Sequence, residues 1–193
     1  MVAGTSERTS ARERLLASAS ELFYAEGIHT VGIDRIIEHA GVAKASLYST
    51  FGSKDGLIKA YLEERHATRR ERILARVETH DSPRARLLAV FDYLAASIAD
   101  PAYHGCAFIN ASAEAMAGGP VEEVVAEFRG WMRSLFTDLA RAAGASNPKK
   151  LARQLQMLYD GASVSARLDR DTTAATTARA AAATLLDAAT GPR

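Results

Sequence analysis

Between Val31 and Tyr61 the chain reads VGIDRIIEHAGVAKASLYSTFGSKDGLIKAY, and few folds accommodate that order. Ile33, Ile36, Ile37 and Ala40 recur at helical spacing and mark one apolar face. Gly41 follows, where left-handed backbone stops a helix without a Cβ clash. Val42 is apolar and can plug the corner between two helices. Lys44 to Thr50 then predicts a second helix of about two turns. Leu47 and Phe51 would face inward; Lys44, Ala45, Ser46, Tyr48, Ser49 and Thr50 would face outward. An outward face of small, hydroxyl-bearing and singly basic residues suits insertion into a DNA major groove.

The rest of the chain carries the same periodicity. Ser10 with Glu13 forms a capping-box pattern, opening a helix that runs to about Glu26 and stops at Gly27. Its buried face would be Leu15, Leu16, Ala19, Leu22 and Phe23. Ser53 can cap a long helix from Lys54 to about Thr79, roughly 38 Å at 1.5 Å per residue. Further helices are expected over Arg84–Ala99, Ala107–Ala117, Val121–Ala143, Lys149–Leu168 and Thr172–Ala189, with Met116 among the apolar residues of the sixth. Alternating β-branched runs are absent, while Ala, Leu, Glu and Arg are plentiful. The expectation is an all-α protein of about nine helices. Residues 1–53 would form a three-helix helix-turn-helix unit, and residues 54–193 a bundle reached through the long fourth helix.

Charge and chemistry narrow the function classes. The net charge is +1, and Met1–Arg72 holds 11 Lys+Arg against 10 Asp+Glu. DNA binding would therefore rest on local placement of a few groups, not on bulk charge. Lys44 can reach a guanine edge or a phosphate. Ala45 and Ser46 are small enough for close approach. The Tyr48 hydroxyl, Ser49 and Thr50 can meet phosphates, or Thr50 a thymine methyl. Lys54 sits against the dipole of its own helix N-terminus, which suits a phosphate clamp. Arg35 and the N–H of Gly32 can meet the adjacent backbone. Arg8 and Arg12 would either extend this edge or stay solvated. Each of these side chains also has an ordinary reading as a surface residue.

The single cysteine, Cys106, allows neither an intrachain disulfide nor a thiolate zinc site, and fits a reducing compartment. The N-terminal stretch is polar, and no run of 18 apolar residues spans a membrane. A cytoplasmic protein without cofactor or metal is expected. The five His are scattered, and no HExxH, GxSxG or glycine-rich phosphate loop appears. No catalytic residue is assigned. An enzyme would have to use Cys106 beside His104; a buried, inert Cys is the commoner role. A second alternative is a helical ligand carrier without DNA binding.

GVAKASLYSTFGSKDGL resembles the turn, recognition helix and next-helix start of the TetR/AcrR family of bacterial transcriptional regulators. GCAFINASAE resembles the start of the sixth helix in one branch of it. In many members a basic residue or His precedes the Phe of the recognition helix; here Ser49 and Thr50 stand there. The resemblance implies double-stranded DNA as partner, a homodimer through the eighth and ninth helices, and repression relieved by a small molecule. The pairing faces would draw on Leu151, Leu155, Leu158, Tyr159, Gly161 and Ala162, and on Ala178, Ala181, Ala182, Leu185 and Leu186. Two copies about 34–36 Å apart would read successive major grooves. An apolar effector pocket would draw on Phe91, Leu94, Ile98, Cys106, Phe108, Ile109, Phe128, Trp131, Met132, Leu135 and Met157. Asn110 and Glu114, four apart on one helix, could fix a polar end. Any one of these residues can equally be plain core.

Overall fold

The computed structural model describes residues 9–115 and 118–191. Arg8, Met116 and Ala117 lie outside the described residues. Nine helices and no strand occur among those described: α1 (Ala11–Glu26), α2 (Ile33–Ala40), α3 (Lys44–Phe51), α4 (Lys54–Glu78), α5 (Pro83–Ile98), α6 (Ala107–Glu114), α7 (Pro120–Ala142), α8 (Pro148–Leu168) and α9 (Ala174–Thr190). The expected boundaries hold to within two residues except at α6, which stops at Glu114 rather than Ala117.

Local chemistry places the ends. The Ser10 hydroxyl accepts from the Glu13 N–H at 3.2 Å, and the Glu13 carboxylate accepts from the Ser10 N–H at 2.7 Å. Those bonds, the backbone one foremost, hold the Glu13 carboxyl below its ordinary range. Gly41 closes α2 in left-handed geometry, φ 61° and ψ 42°. Proline opens α5, α7 and α8 at the first turn, where its missing N–H costs nothing. At α5 the Ser82 hydroxyl caps the Ala85 N–H at 3.1 Å. Replacing that cap, Ser82→Ala, should lower stability by about 1 kcal/mol. A melting curve would show it as a downward shift of about 2–4 °C.

The helices pack in two groups joined through α4. α1 packs on α2, α3 and α4. Leu15, Ala19, Val31, Ile36, Leu47 and Leu57 fill that small core. In the bundle, α7 packs on α8, α8 on α9, and α5 on α4, α7 and α9. Phe91, Phe136 and Tyr159 form an aromatic cluster there, with ring centroids 5.8–6.3 Å apart. α4 belongs to both cores. Leu57, Tyr61 and Leu62 are buried near its start, and Ile73 and Val77 near its end.

Candidate nucleic-acid interface

α3 rests on one buried anchor. Leu47 is 0% exposed, while Lys44, Ala45, Tyr48, Ser49 and Thr50 are exposed on the far side. Tyr48 keeps 45% of its surface, unusual for a large aromatic ring with no internal packing role. Ser46 is only half exposed, so the outward face is narrower than its sequence suggested. The Ser49 hydroxyl donates back to the Ser46 carbonyl at 3.2 Å. Neither Gly32 nor Ala43 caps its helix with a side chain. The first-turn N–H groups of α2 and α3 therefore remain without side-chain acceptors, and such donors suit phosphate oxygens.

Lys44, Arg35 and Lys54, singled out from sequence, each have a partner within the chain. Lys44 Nζ donates to Asp34 at 2.8 Å across two exposed side chains. Arg35 grips Glu26 of α1 through both terminal guanidinium nitrogens. Lys54 Nζ donates to the His29 carbonyl at 3.4 Å. Arg12 lies over the Phe51 ring, 5.7 Å from its centroid, and so covers the C-terminal end of α3. Exposed pairs of this kind exchange readily with solvent or with a phosphate. The sequence alone could not show them, because each joins residues on different elements of the fold.

Close approach fixes the α3–α4 corner. A Cβ at Gly56 would lie 2.0 Å from the Phe51 carbonyl oxygen, the last residue of α3. Glycine is thus required there by contact rather than by φ. GSKDG carried that signal as a second glycine three residues past the Ser53 cap.

The bundle holds the α1–α3 cluster at two points besides α4. The Glu114 carboxylate of α6 accepts from the His29 N–H at 2.8 Å, and the His29 ring touches the Glu114 carbonyl. Tyr24 of α1 donates to the Gly105 carbonyl at 2.9 Å and accepts from the His104 N–H at 3.1 Å. Glu114, read from sequence as a polar group for a ligand, therefore has its carboxylate on the α1–α2 loop. Asn110 donates to the His104 carbonyl at 2.9 Å and steadies the α5–α6 loop.

The bundle residues expected around a ligand separate into groups. Phe108 and Phe128 stack face to face, with centroids 3.9 Å apart, beside buried Cys106. Two open grooves of about 360 Å³ each flank α6 and share Cys106, Ile109 and Ala113. Trp131 is half-buried against His66, whose imidazole is pulled below its ordinary pKa chiefly by burial. Phe91 and Leu94 are fully enclosed core and line neither groove. A wider open cleft, about 640 Å³, lies between α1, α4, α5 and the α5–α6 loop, and none of the proposed ligand residues lines it. Cys106 meets Arg69, not His104, whose ring instead packs edge-on against Tyr24.

Two sequence expectations need correction. Met157 does not line a pocket: it is 74% exposed on the outside of α8. Conversely, Leu151, Leu155, Tyr159, Ala162, Ala178, Ala182 and Leu186 are buried within the chain's own core. The apolar residues left uncovered on α8 are Met157, Val164 and Leu168, with exposed Gly161 on the same stripe. A Leu/Ala pattern in sequence marks a buried face but not whether one chain or two bury it.

Comparison with known proteins agrees with this geometry. A model described as bacterial regulatory proteins, tetR family, matches residues 15–61. A second, described as tetracyclin repressor-like, C-terminal domain, matches residues 83–182. The crystal structure of SCO4454, a TetR-family transcriptional regulator from Streptomyces coelicolor, superposes with a TM-score of 0.89 at 35% identity. It covers 94% of this chain and 96% of that one. The transcriptional activator FasR of Mycolicibacterium smegmatis is 37% identical over 107 residues, which is 45% of this chain and 49% of FasR. The transcriptional repressor BdcR of Escherichia coli is 35% identical over 57 residues, 30% of this chain and 29% of BdcR. The match thus spans about half the length of FasR and less of BdcR. With a buried Leu47 presenting α3 outward and both halves matching, the chain belongs to the TetR family and is a helix-turn-helix transcriptional regulator.

Proposed function

We propose that this regulator is a ligand-responsive repressor that binds a palindromic operator as a homodimer in the cytoplasm. The observation that carries the reading is the outward face of α3: Lys44, Ala45, Tyr48, Ser49 and Thr50 exposed over a wholly buried Leu47. Lys44, Tyr48 and Thr50 carry the base and phosphate contacts, and the free N–H groups after Gly32 and Ala43 add backbone donors. Arg35 and Lys54 act from the flanks once a phosphate competes with Glu26 and the His29 carbonyl. Met157, Gly161, Val164 and Leu168 on α8, together with α9, supply the dimer face, since exposed apolar stripes of this kind favour burial against a partner.

Release follows from the connections between bundle and DNA-binding cluster. An effector seated along α6 displaces Glu114 from His29 and Tyr24 from the α5–α6 loop. α4 transmits a second movement directly, because it is shared by both cores. A coupling of about 1–3 kcal/mol changes occupancy roughly 5- to 150-fold, provided the ligand favours one state. Repression is preferred to activation because the proposed effector loosens contacts that hold α3 in place. BdcR and FasR illustrate that related proteins act in either sense.

Selection of bound DNA from a random pool tests the reading. A palindrome with half-sites about 10 bp apart is expected. Binding with no shared sequence, or none at all, would favour a ligand carrier of the same fold. Asp34→Asn offers a finer check. It frees Lys44 and removes a negative charge from the DNA side, so operator affinity should rise, by up to about fivefold in low salt. Titration by fluorescence anisotropy reads this directly, and weaker binding would place Lys44 away from DNA.

A further inference from the structure

The middle of the bundle holds polar groups that the protein leaves without counterparts. Arg69, past the midpoint of α4, directs its guanidinium at Cys106, donating to the thiol sulfur at 3.3 Å. It also sits 5.6 Å and 5.5 Å from the ring centroids of Phe108 and Phe128. No carboxylate lies within ion-pair distance of it among the described residues, although eight other ion pairs form there. Aromatic faces and a thiol offset part of the lost hydration of a guanidinium but bring no negative charge. On α8, Tyr159 is 2% exposed and its hydroxyl has no hydrogen-bond partner among the described residues. One turn further along α8, the Ser163 carbonyl accepts from Tyr103 at 3.5 Å, and Ser163 lines one groove beside α6 together with Cys106.

Arg69 and Tyr159 line neither groove beside α6, but Cys106, the direct contact of Arg69, lines both, so the way to the guanidinium runs past the thiol. The groove that also contains Phe108 and Phe128 has one carboxylate, Asp160, already held by Arg129 at 2.8 Å. An apolar body in this groove would place its polar end at Cys106, next to the guanidinium. A planar fork of donors and an orphan hydroxyl match a carboxylate, which accepts from both. An amine or a neutral ring would leave them as they are.

We propose that Arg69 and the Tyr159 hydroxyl receive the carboxylate of an amphipathic organic acid, and that such acids are the effector class. This rests on the ligand-responsive reading above and specifies it. The test is isothermal titration of the full chain with benzoate, 2-naphthoate, octanoate and decanoate, each against its own neutral amide. At least one acid should bind about tenfold or more tightly than its amide. That preference should vanish in Arg69→Gln, fall severalfold in Tyr159→Phe, and persist in Arg84→Gln, whose arginine pairs with Asp187 at the surface. Both test variants remove groups without full partners, so both should fold, as circular dichroism will show. If Arg69→Gln does not fold, Tyr159→Phe decides alone. Equal affinity of every acid and its amide overturns the proposal, as does a preference that survives the loss of Arg69 or, in that fallback, of the Tyr159 hydroxyl. Operator binding is measured separately. Acid binding without DNA binding would remove the regulator mechanism and leave this site standing; the reverse result would remove only this site.

Discussion

Lys44→Ala and Tyr48→Ala should each abolish most operator binding while the protein stays folded. In one protomer, loss of a specific contact lowers affinity about 5- to 150-fold. A symmetric dimer loses the contact twice, so a fall of two or more orders of magnitude is expected. Neither side chain supports the fold. Lys44 makes only an exposed pair with Asp34, and Tyr48 is 45% exposed. Melting temperatures should therefore stay near that of the wild type. The two variants should differ in kind. If Lys44 contacts phosphate, its loss also shrinks the slope of log affinity against log salt, by about one unit per protomer. Loss of the Tyr48 ring should leave that slope nearly intact. Anisotropy titrations at several salt concentrations separate the cases, and unchanged affinity in either variant would remove that residue from the interface.

Gly56→Ala should harm the protein in a different way. The new methyl would need to occupy a point 2.0 Å from the Phe51 carbonyl oxygen, which is backbone and cannot rotate aside. Either α3 moves away from α4 or the first turn of α4 unwinds. Forced overpacking of this kind costs about 1–3 kcal/mol, occasionally more. The expected result is a lowered melting temperature together with loss of operator binding, because Phe51 ends the helix that presents Lys44 and Tyr48. Gly161→Ala is the natural control. A Cβ there meets nothing within 4 Å in the single chain, so monomer stability should not suffer. A weaker dimer on sedimentation would support the α8 stripe as its face.

Much of this was open to reading before any coordinates. The helix-turn-helix was legible because its signals are local: an apolar stripe from Ile33 to Ala40, a left-handed glycine at position 41, and a buried Leu47 one turn into α3. The Ser10–Glu13 box was equally local, since a cap involves residues three apart. The outward face of α3 followed from period alone, apart from half-buried Ser46.

Other readings were incomplete or wrong where distant residues decide. Glu114 and Asn110 share a helix face and line one groove, as their spacing suggested, but the Glu114 carboxylate is already bonded to His29, 85 residues away in sequence. Met157 looked like a pocket residue because it is apolar, and it is among the most exposed large apolar residues described. Leu155 and Ala182 looked like dimer contacts and are enclosed by their own chain.

The sequence by itself determined which segments are helices, where they stop, and which faces avoid water, because propensity, capping and periodicity act within one or two turns. Only the tertiary structure decided which faces meet one another, that Lys44, Arg35 and Lys54 each have an internal partner, and that Arg69 meets a thiol and two aromatic rings instead of a carboxylate. Those outcomes depend on how separate helices cross, and an amphipathic pattern fixes the direction of a face without naming its neighbour.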